Sequence, residues 1–166
     1  YHTGAWPHEG VDFSGKRVGL IGTGSTGIQA TPVIAAESEH LTIFQRTPNF
    51  SIPARNAPLE EKTLNDIKEN YQQIRDLCKG SDNGFPFSPV DRGSKAVSEE
   101  DRKRIYDEFG ALGGFRLLVE SFNDLTIDEF ANETAANFIR QKIREMVKDP
   151  KVAEMLCPYD HPYGTK

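Results

Sequence analysis

The run Lys16-Arg17-Val18-Gly19-Leu20-Ile21-Gly22-Thr23-Gly24-Ser25-Thr26-Gly27-Ile28-Gln29-Ala30 constrains this chain more than any other part of it. It reads as a short buried strand, a glycine turn and the start of a helix. The turn has G-x-G-x-x-G spacing in Gly22, Gly24 and Gly27. The first glycine permits a tight exit from the strand. The second lets a pyrophosphate come close to the backbone, and the third lets the helix pack closely on the strand. The opening N–H groups of a helix have no intrahelical partner and lie at its positive end, which suits an anion. The pattern predicts a dinucleotide cradle formed by Gly22, Thr23, Gly24, Ser25, Thr26 and Gly27, with Gln29 beside it in the helix. Ser25 and Thr26 are expected to cap the helix and to donate to phosphate. The plainer alternative is an ordinary strand-to-helix turn.

Pro32 is expected in the first turn or two of that helix, where proline costs least. Leu41-Thr42-Ile43-Phe44-Gln45 is apolar and β-branched and predicts the second strand of a parallel βαβ unit. In dinucleotide folds the end of this strand meets the adenosine ribose, and NAD binders place an acid there. This chain has Gln45-Arg46-Thr47 instead. A carboxylate would repel a 2′-phosphate, whereas a guanidinium binds it with two parallel hydrogen bonds. The expected cofactor is therefore NADP(H), with Arg46 and Thr47 at the 2′-phosphate. A solvated surface arginine is the alternative for Arg46.

After Pro58 the sequence changes character. Leu64, Ile67, Tyr71, Ile74 and Leu77 recur at helical spacing, with Gly80 as a stop. Ser98 with Asp101, and Thr126 with Glu129, predict two capping boxes. The first opens a charged helix through Phe109, which Gly110, Gly113 and Gly114 interrupt. The second opens a helix carrying Phe130, Thr134, Phe138, Ile139, Ile143, Met146 and Val147 on one side and ending before Pro150. A short helical turn covers Lys151 to Leu156, and a loop closes the chain. Two strands are too few for a stable doubly wound sheet. The expected fold class is α/β, a Rossmann-like FAD/NAD(P)-binding parallel sheet with a large helical insertion. The expected organisation is 1–57 for the first part of the nucleotide domain (1–16 as linker), 58–157 for the insertion and 158–166 for the return. A start at Tyr1 and an end at Lys166 suggest an incomplete segment of a larger enzyme.

The net charge of −5 argues against nucleic acid as a partner. Cys78 and Cys157 form no metal or redox spacing and read as reduced thiols, which with no signal-peptide pattern points to a cytoplasmic protein. No apolar run is long enough to span a membrane. No metal site is expected, because Asp160 and His161 lack further ligands. His8, His40 and His161 read as loop or surface residues. Phe85-Pro86-Phe87 is either a cover over a substrate pocket or an aromatic loop tucked onto the helices.

His2-Thr3-Gly4-Ala5-Trp6-Pro7 resembles the second half of the F-x-G-x-x-x-H-x-x-x-W-P fingerprint of the flavin-dependent Baeyer–Villiger monooxygenases. Phe44-Gln45-Arg46-Thr47-Pro48-Asn49-Phe50-Ser51-Ile52-Pro53 is similar to the family's second-strand segment. Pro162-Tyr163-Gly164-Thr165-Lys166 is similar to the return after its helical insertion. The resemblance implies an enzyme with FAD and NADPH on separate domains, in which NADPH reduces the flavin and molecular oxygen is used to convert a ketone to an ester or lactone. It implies that Lys166 joins Arg46 and Thr47 at the 2′-phosphate. His2 and Trp6 would lie in a linker between the domains, and no complete catalytic site would lie within this chain. The FAD domain of the same protein is then its partner. An N- or S-oxidising flavin monooxygenase and a non-catalytic NADP-binding module are the alternatives.

Overall fold

The computed structural model describes residues 1–81, 84–87 and 90–165. The chain divides into two units, each internally packed. The first comprises Tyr1–Asn49 with Asp149–Pro158, and the second Phe50–Lys148 with Tyr159–Lys166.

The first unit is built on β1 (Arg17–Ile21), α1 (Ser25–Glu37) and β2 (His40–Phe44). The strands are parallel, in the register Arg17↔His40 to Ile21↔Phe44. This is the predicted βαβ unit. β1 is not a buried strand, however. Its residues alternate between exposed and half-buried, and Ile21 is 89% exposed. Among the described residues the sheet has two strands, so most of its apolar surface is uncovered. Pro32 lies well inside α1 rather than near its start. The helix continues past it because proline removes one donor from the ladder, to the carbonyl of Ile28, while the flanking turns remain intact. One residue earlier the Thr31 hydroxyl donates to the Gly27 carbonyl at 2.7 Å.

α7 (Pro150–Leu156) also belongs to this unit, although the sequence pattern puts it in the insertion. Asp149 caps it, accepting from the N–H groups of Lys151 and Val152. Gln45 Nε2 donates to the Met155 carbonyl at 2.9 Å, tying α7 to the end of β2.

The second unit is helical. The run expected as one helix from Leu64 to Gly80 is two, α2 (Glu61–Glu69) and α3 (Tyr71–Gly80). They part at Asn70, whose backbone leaves the helical region and whose side chain donates to the Asp66 carbonyl at 2.9 Å. Asparagine competes with the backbone for such bonds and favours breaks. α4 (Glu99–Leu112) is capped by Ser98 as predicted and runs through Gly110. It stops at Gly113, whose φ is +77°. A β-carbon there would stand 2.5 Å from Arg55 Cγ and 2.8 Å from the Ala54 carbonyl, so only glycine fits. α5 (Arg116–Glu120) follows. α6 (Glu129–Met146) is capped by Asp128, not Thr126. Asp128 Oδ1 accepts from Ala131 N–H at 3.0 Å.

The buried face of α6 is Ala131, Ala135, Ala136, Phe138, Ile139, Arg140 and Ile143. Phe130 and Met146 of the expected stripe are 46% and 64% exposed. The alanines permit close approach, and the aromatic rings of neighbouring segments supply the volume. Tyr106 packs edge-on to Phe122 and against Phe138, both at 5.3 Å between centroids. Its hydroxyl bonds Thr134 Oγ1 at 2.9 Å, so this polar group is satisfied inside the core. Burial holds the Tyr106 phenol above its usual range.

The packing divides the chain after Asn49, after Lys148 and after Pro158. Phe50 stacks edge-on with His161 and Tyr163, which puts residues after Asn49 with the helices. Leu117, 1% exposed, lies at the centre of this unit. Leu117→Ala is expected to destabilise it by about 2–5 kcal/mol, seen as a lower urea midpoint. A midpoint unchanged within error would show that the packing around α5 is loose.

Candidate functional site: the glycine turn and the return segment

The glycine turn has the geometry its sequence predicts, for three separable reasons. Gly22 has φ +99°, a region that L side chains rarely adopt, and its N–H donates to the Phe44 carbonyl at 2.9 Å. A β-carbon on Gly27 would stand 2.4 Å from the Gly22 carbonyl oxygen, so only glycine lets α1 leave so close to the strand. Gly24 differs from both. Its φ is −69°, and a β-carbon there would meet nothing within 4 Å. Nothing among the described residues requires glycine at 24. The space beside it is what a close-lying pyrophosphate needs.

Gly24 also caps α1, so Ser25 and Thr26 are its first residues and not the caps expected from the sequence. The first backbone bond of the helix runs from Ile28 N–H to the Gly24 carbonyl. The N–H groups of Ser25, Thr26 and Gly27 precede it, at the exposed positive end of a helix of 13 residues. Gln29 Nε2 turns back to the Ser25 carbonyl at 3.1 Å, bracing this first turn from within.

Across the sheet, β2 ends level with the turn. Because the strands are parallel, Gln45, Arg46 and Thr47 leave β2 on the same side as Gly22. Ligands of open parallel sheets bind at these carboxyl ends. Arg46 is exposed and makes no hydrogen bond or ion pair with any described residue. Thr47 is half-buried beside it. Asn49, which no sequence motif marks, donates from Nδ2 to the Thr23 carbonyl at 3.2 Å and anchors this segment to the turn. An asparagine just after Pro48 is the one available signal.

His2 and Trp6 have structural jobs in the first unit. His2 Nδ1 accepts from the Gly4 N–H at 3.0 Å and caps the 3-10 turn Thr3–Ala5. Trp6, 40% exposed, stands between Tyr1 and Phe13 at 6.0 and 6.1 Å between ring centroids.

The return segment lies in the second unit. Lys166 falls outside the described residues. His161 is a loop residue but not a surface one. Its side chain is 7% exposed, with Nδ1 2.6 Å from Asp160 Oδ1. Among the described residues no group of three or more His, Cys, Asp and Glu could hold a metal. Gly164 has φ +85°, and a β-carbon there would be 3.1 Å from Leu118 Cδ1. It also lines a cavity of about 590 Å³ with Phe85, Phe87, Phe115, Leu118 and Phe122. Phe85 packs against Phe87 and Phe115 at 5.6 and 5.4 Å, so the Phe85–Phe87 loop is tucked onto the helices and forms one wall of that cavity.

No protein-family model matches this chain. Individual proteins do. A Baeyer-Villiger monooxygenase of Pseudooceanicola batsensis is 44% identical over 160 residues, covering 96% of this chain and 29% of its own length. Cyclohexanone 1,2-monooxygenase of Acinetobacter is 42% identical over 161 residues, covering 96% of this chain and 30% of itself. Phenazine N-monooxygenase PhzNO1 of Lysobacter antibioticus is 41% identical over 160 residues, with 96% and 29% covered. Among solved structures, OTEMO in complex with FAD and NADP superposes with a TM-score of 0.96 at 39% identity, covering 100% of this chain and 32% of that one. An oxidized steroid monooxygenase bound to NADP gives 0.90 at 49% identity, with 97% and 31% covered. The α/β fold and these likenesses define the chain as homologous to monooxygenases. One of these relatives is named a Baeyer-Villiger monooxygenase and another a phenazine N-monooxygenase, and the chain spans about a third of their length.

The glycine geometry separates fold from binding. Gly24→Val is expected to leave the thermal unfolding midpoint within a few degrees of wild type, since its β-carbon meets open space. Gly27→Val should lower it sharply, because the side chain collides with the Gly22 carbonyl. Equal losses in circular-dichroism melts would contradict the assignment of distinct roles.

Proposed function

We propose that this chain is the NADPH-binding part of an FAD-dependent Baeyer–Villiger monooxygenase, which converts ketones to esters or lactones with molecular oxygen. The observation that carries the cofactor reading is Gly24, a glycine that its described neighbours do not require, at the mouth of a helix whose first N–H groups have no intrahelical partner. It is supported by Arg46, a guanidinium at the same end of the sheet with no partner among the described residues.

In this reading the backbone N–H groups of Ser25, Thr26 and Gly27 and the two hydroxyls bind the pyrophosphate, with Gln29 bracing their turn. Gly22 and Thr23 shape the loop. Arg46 and Thr47 hold the 2′-phosphate, and Lys166 joins them. NADPH supplies a hydride to the flavin when bound. The chain's own residues bind and orient it and neutralise its phosphates. His2 and Trp6 belong to the linker toward the FAD domain. The nucleotide domain is Rossmann-like over 1–57, with 58–157 as its insertion and 158–166 as the return. The aromatic cavity beside Gly164 contributes an apolar wall for a small ketone.

Among the described residues no helix is long and apolar enough to cross a membrane. Two cysteines, Cys78 and Cys157, with no metal or redox spacing support a cytoplasmic setting. The phenazine N-monooxygenase among the relatives favours one second reading, oxidation of nitrogen. Turnover of the full-length enzyme on a cyclic ketone and on an aromatic amine decides between the two. Ketone turnover without amine turnover is expected.

Arg46→Ala in the full-length enzyme should weaken NADPH far more than NADH, because a charge-assisted pair is worth roughly 1.5–3 kcal/mol, about 10- to 150-fold. Steady-state titration with each cofactor reads this directly. Equal losses for both would remove Arg46 from the 2′-phosphate.

A further inference from the structure

The helical unit holds a cleft of about 230 Å³ that no sequence motif marks. Every residue lining it belongs to the second unit. Its floor is apolar, made by Leu117, Phe138, Ile139 and Ile143, each 8% exposed or less. Its rim carries three charged side chains, Arg55, Asp107 and Lys142. Lys142 Nζ lies 2.8 Å from Asp107 Oδ1 and 3.4 Å from Glu145 Oε2. Glu145 does not line the cleft and lies near Lys103 as well. The two lysines offset the two acids, which leaves the charge of Arg55 unbalanced. Arg55 is exposed and makes no hydrogen bond or ion pair with any described residue.

The backbone of Arg55 is held in an uncommon conformation. Its φ is +57°, and among the described residues it is the one non-glycine with a positive φ. This region crowds the β-carbon of an L residue, so glycine is its usual occupant. The turn between α4 and α5 keeps Arg55 there. Gly114 N–H donates to the Pro53 carbonyl at 3.4 Å. The stem of Arg55 lies across Gly113, where a β-carbon would stand 2.5 Å from Arg55 Cγ. A solvated arginine needs no such fixing. Strain of this kind persists where the surroundings present a side chain for use.

We propose that this cleft binds a small amphipathic carboxylate, with its apolar body on the floor and its head on Arg55. A planar guanidinium meets a carboxylate with two parallel hydrogen bonds, and one unbalanced positive charge suits a monoanion. Roughly eight waters at about 30 Å³ each would fill the cleft, so a body of about seven or eight carbons fits it. This ligand is neither the nucleotide nor the ketone of the proposed reaction.

Calorimetric titration of the full-length, flavin-loaded enzyme with octanoate tests the proposal, with octanol and octylamine as controls. Octanoate should bind about tenfold more tightly than either control. Arg55→Gly should weaken octanoate by about tenfold or more, the worth of a charge-assisted pair, and leave octanol within about twofold. Glycine adopts a positive φ without steric cost, so this variant should melt no lower than wild type. Ala111→Phe, at the exposed rim of the cleft, should weaken octanoate and octanol alike by filling its mouth. No binding of octanoate, or no preference for it over octanol, would overturn the proposal. So would wild-type octanoate affinity in Arg55→Gly or in Ala111→Phe, because the acid then sits elsewhere. Should Arg55→Gly fail to fold, Arg55 is a structural residue and the proposal falls.

Discussion

The close approach in the first unit between the Gly27 position and the Gly22 carbonyl is the contact on which its architecture depends. A helix can leave a strand this tightly only when the facing residue has no β-carbon. The tightness brings the first-turn N–H groups of α1 to the end of the sheet, where β2 delivers Arg46. One missing methyl group therefore sets how closely the helix terminus approaches the end of the strand. Gly24 adds clearance on the open side, where the fold itself asks for none.

The two units solve the burial problem differently. The helical unit has a conventional core, with Tyr106, Leu117, Phe122 and Leu125 buried against the alanine face of α6. The first unit keeps few buried residues, Ile34, Ala153, Cys157 and Pro158 among them, while Ile21 and Phe44 remain open. A pair of parallel strands cannot cover both its own faces. The glycine turn is nevertheless well formed, because its shape comes from local glycine geometry and one strand pair. Deep burial is not needed for it.

What is legible in the sequence is what local chemistry decides. The strands, their parallel pairing and the separate tasks of Gly22 and Gly27 follow from period, β-branching and steric size. Sequence and structure part where several residues could serve one task. Thr126 and Asp128 both precede α6, and the stronger acceptor at the right offset caps it. Asn70 breaks a run whose apolar spacing is unbroken. The large residues of α6 suggest its stripe, although its small ones face the core, because close packing is invisible to a hydropathy pattern. His161 reads as a surface residue, since nothing in its neighbours announces that Phe50 will cover it. Asn49 is marked only by its place after Pro48, because its partner is a backbone group distant in sequence.

The bond from Gln45 to Met155 closes a loop of 110 residues. The first unit is thus discontinuous, interrupted by a helical body and completed by α7 after it. During synthesis the whole helical insertion leaves the ribosome before α7 exists. Long loops cost entropy to close, though the cost grows slowly with length, and an already folded insertion shortens the effective loop to the separation of its own ends. The two units are interleaved in the chain: α7, which completes the first, is made after the helices of the second and before Tyr159–Lys166, which complete the second.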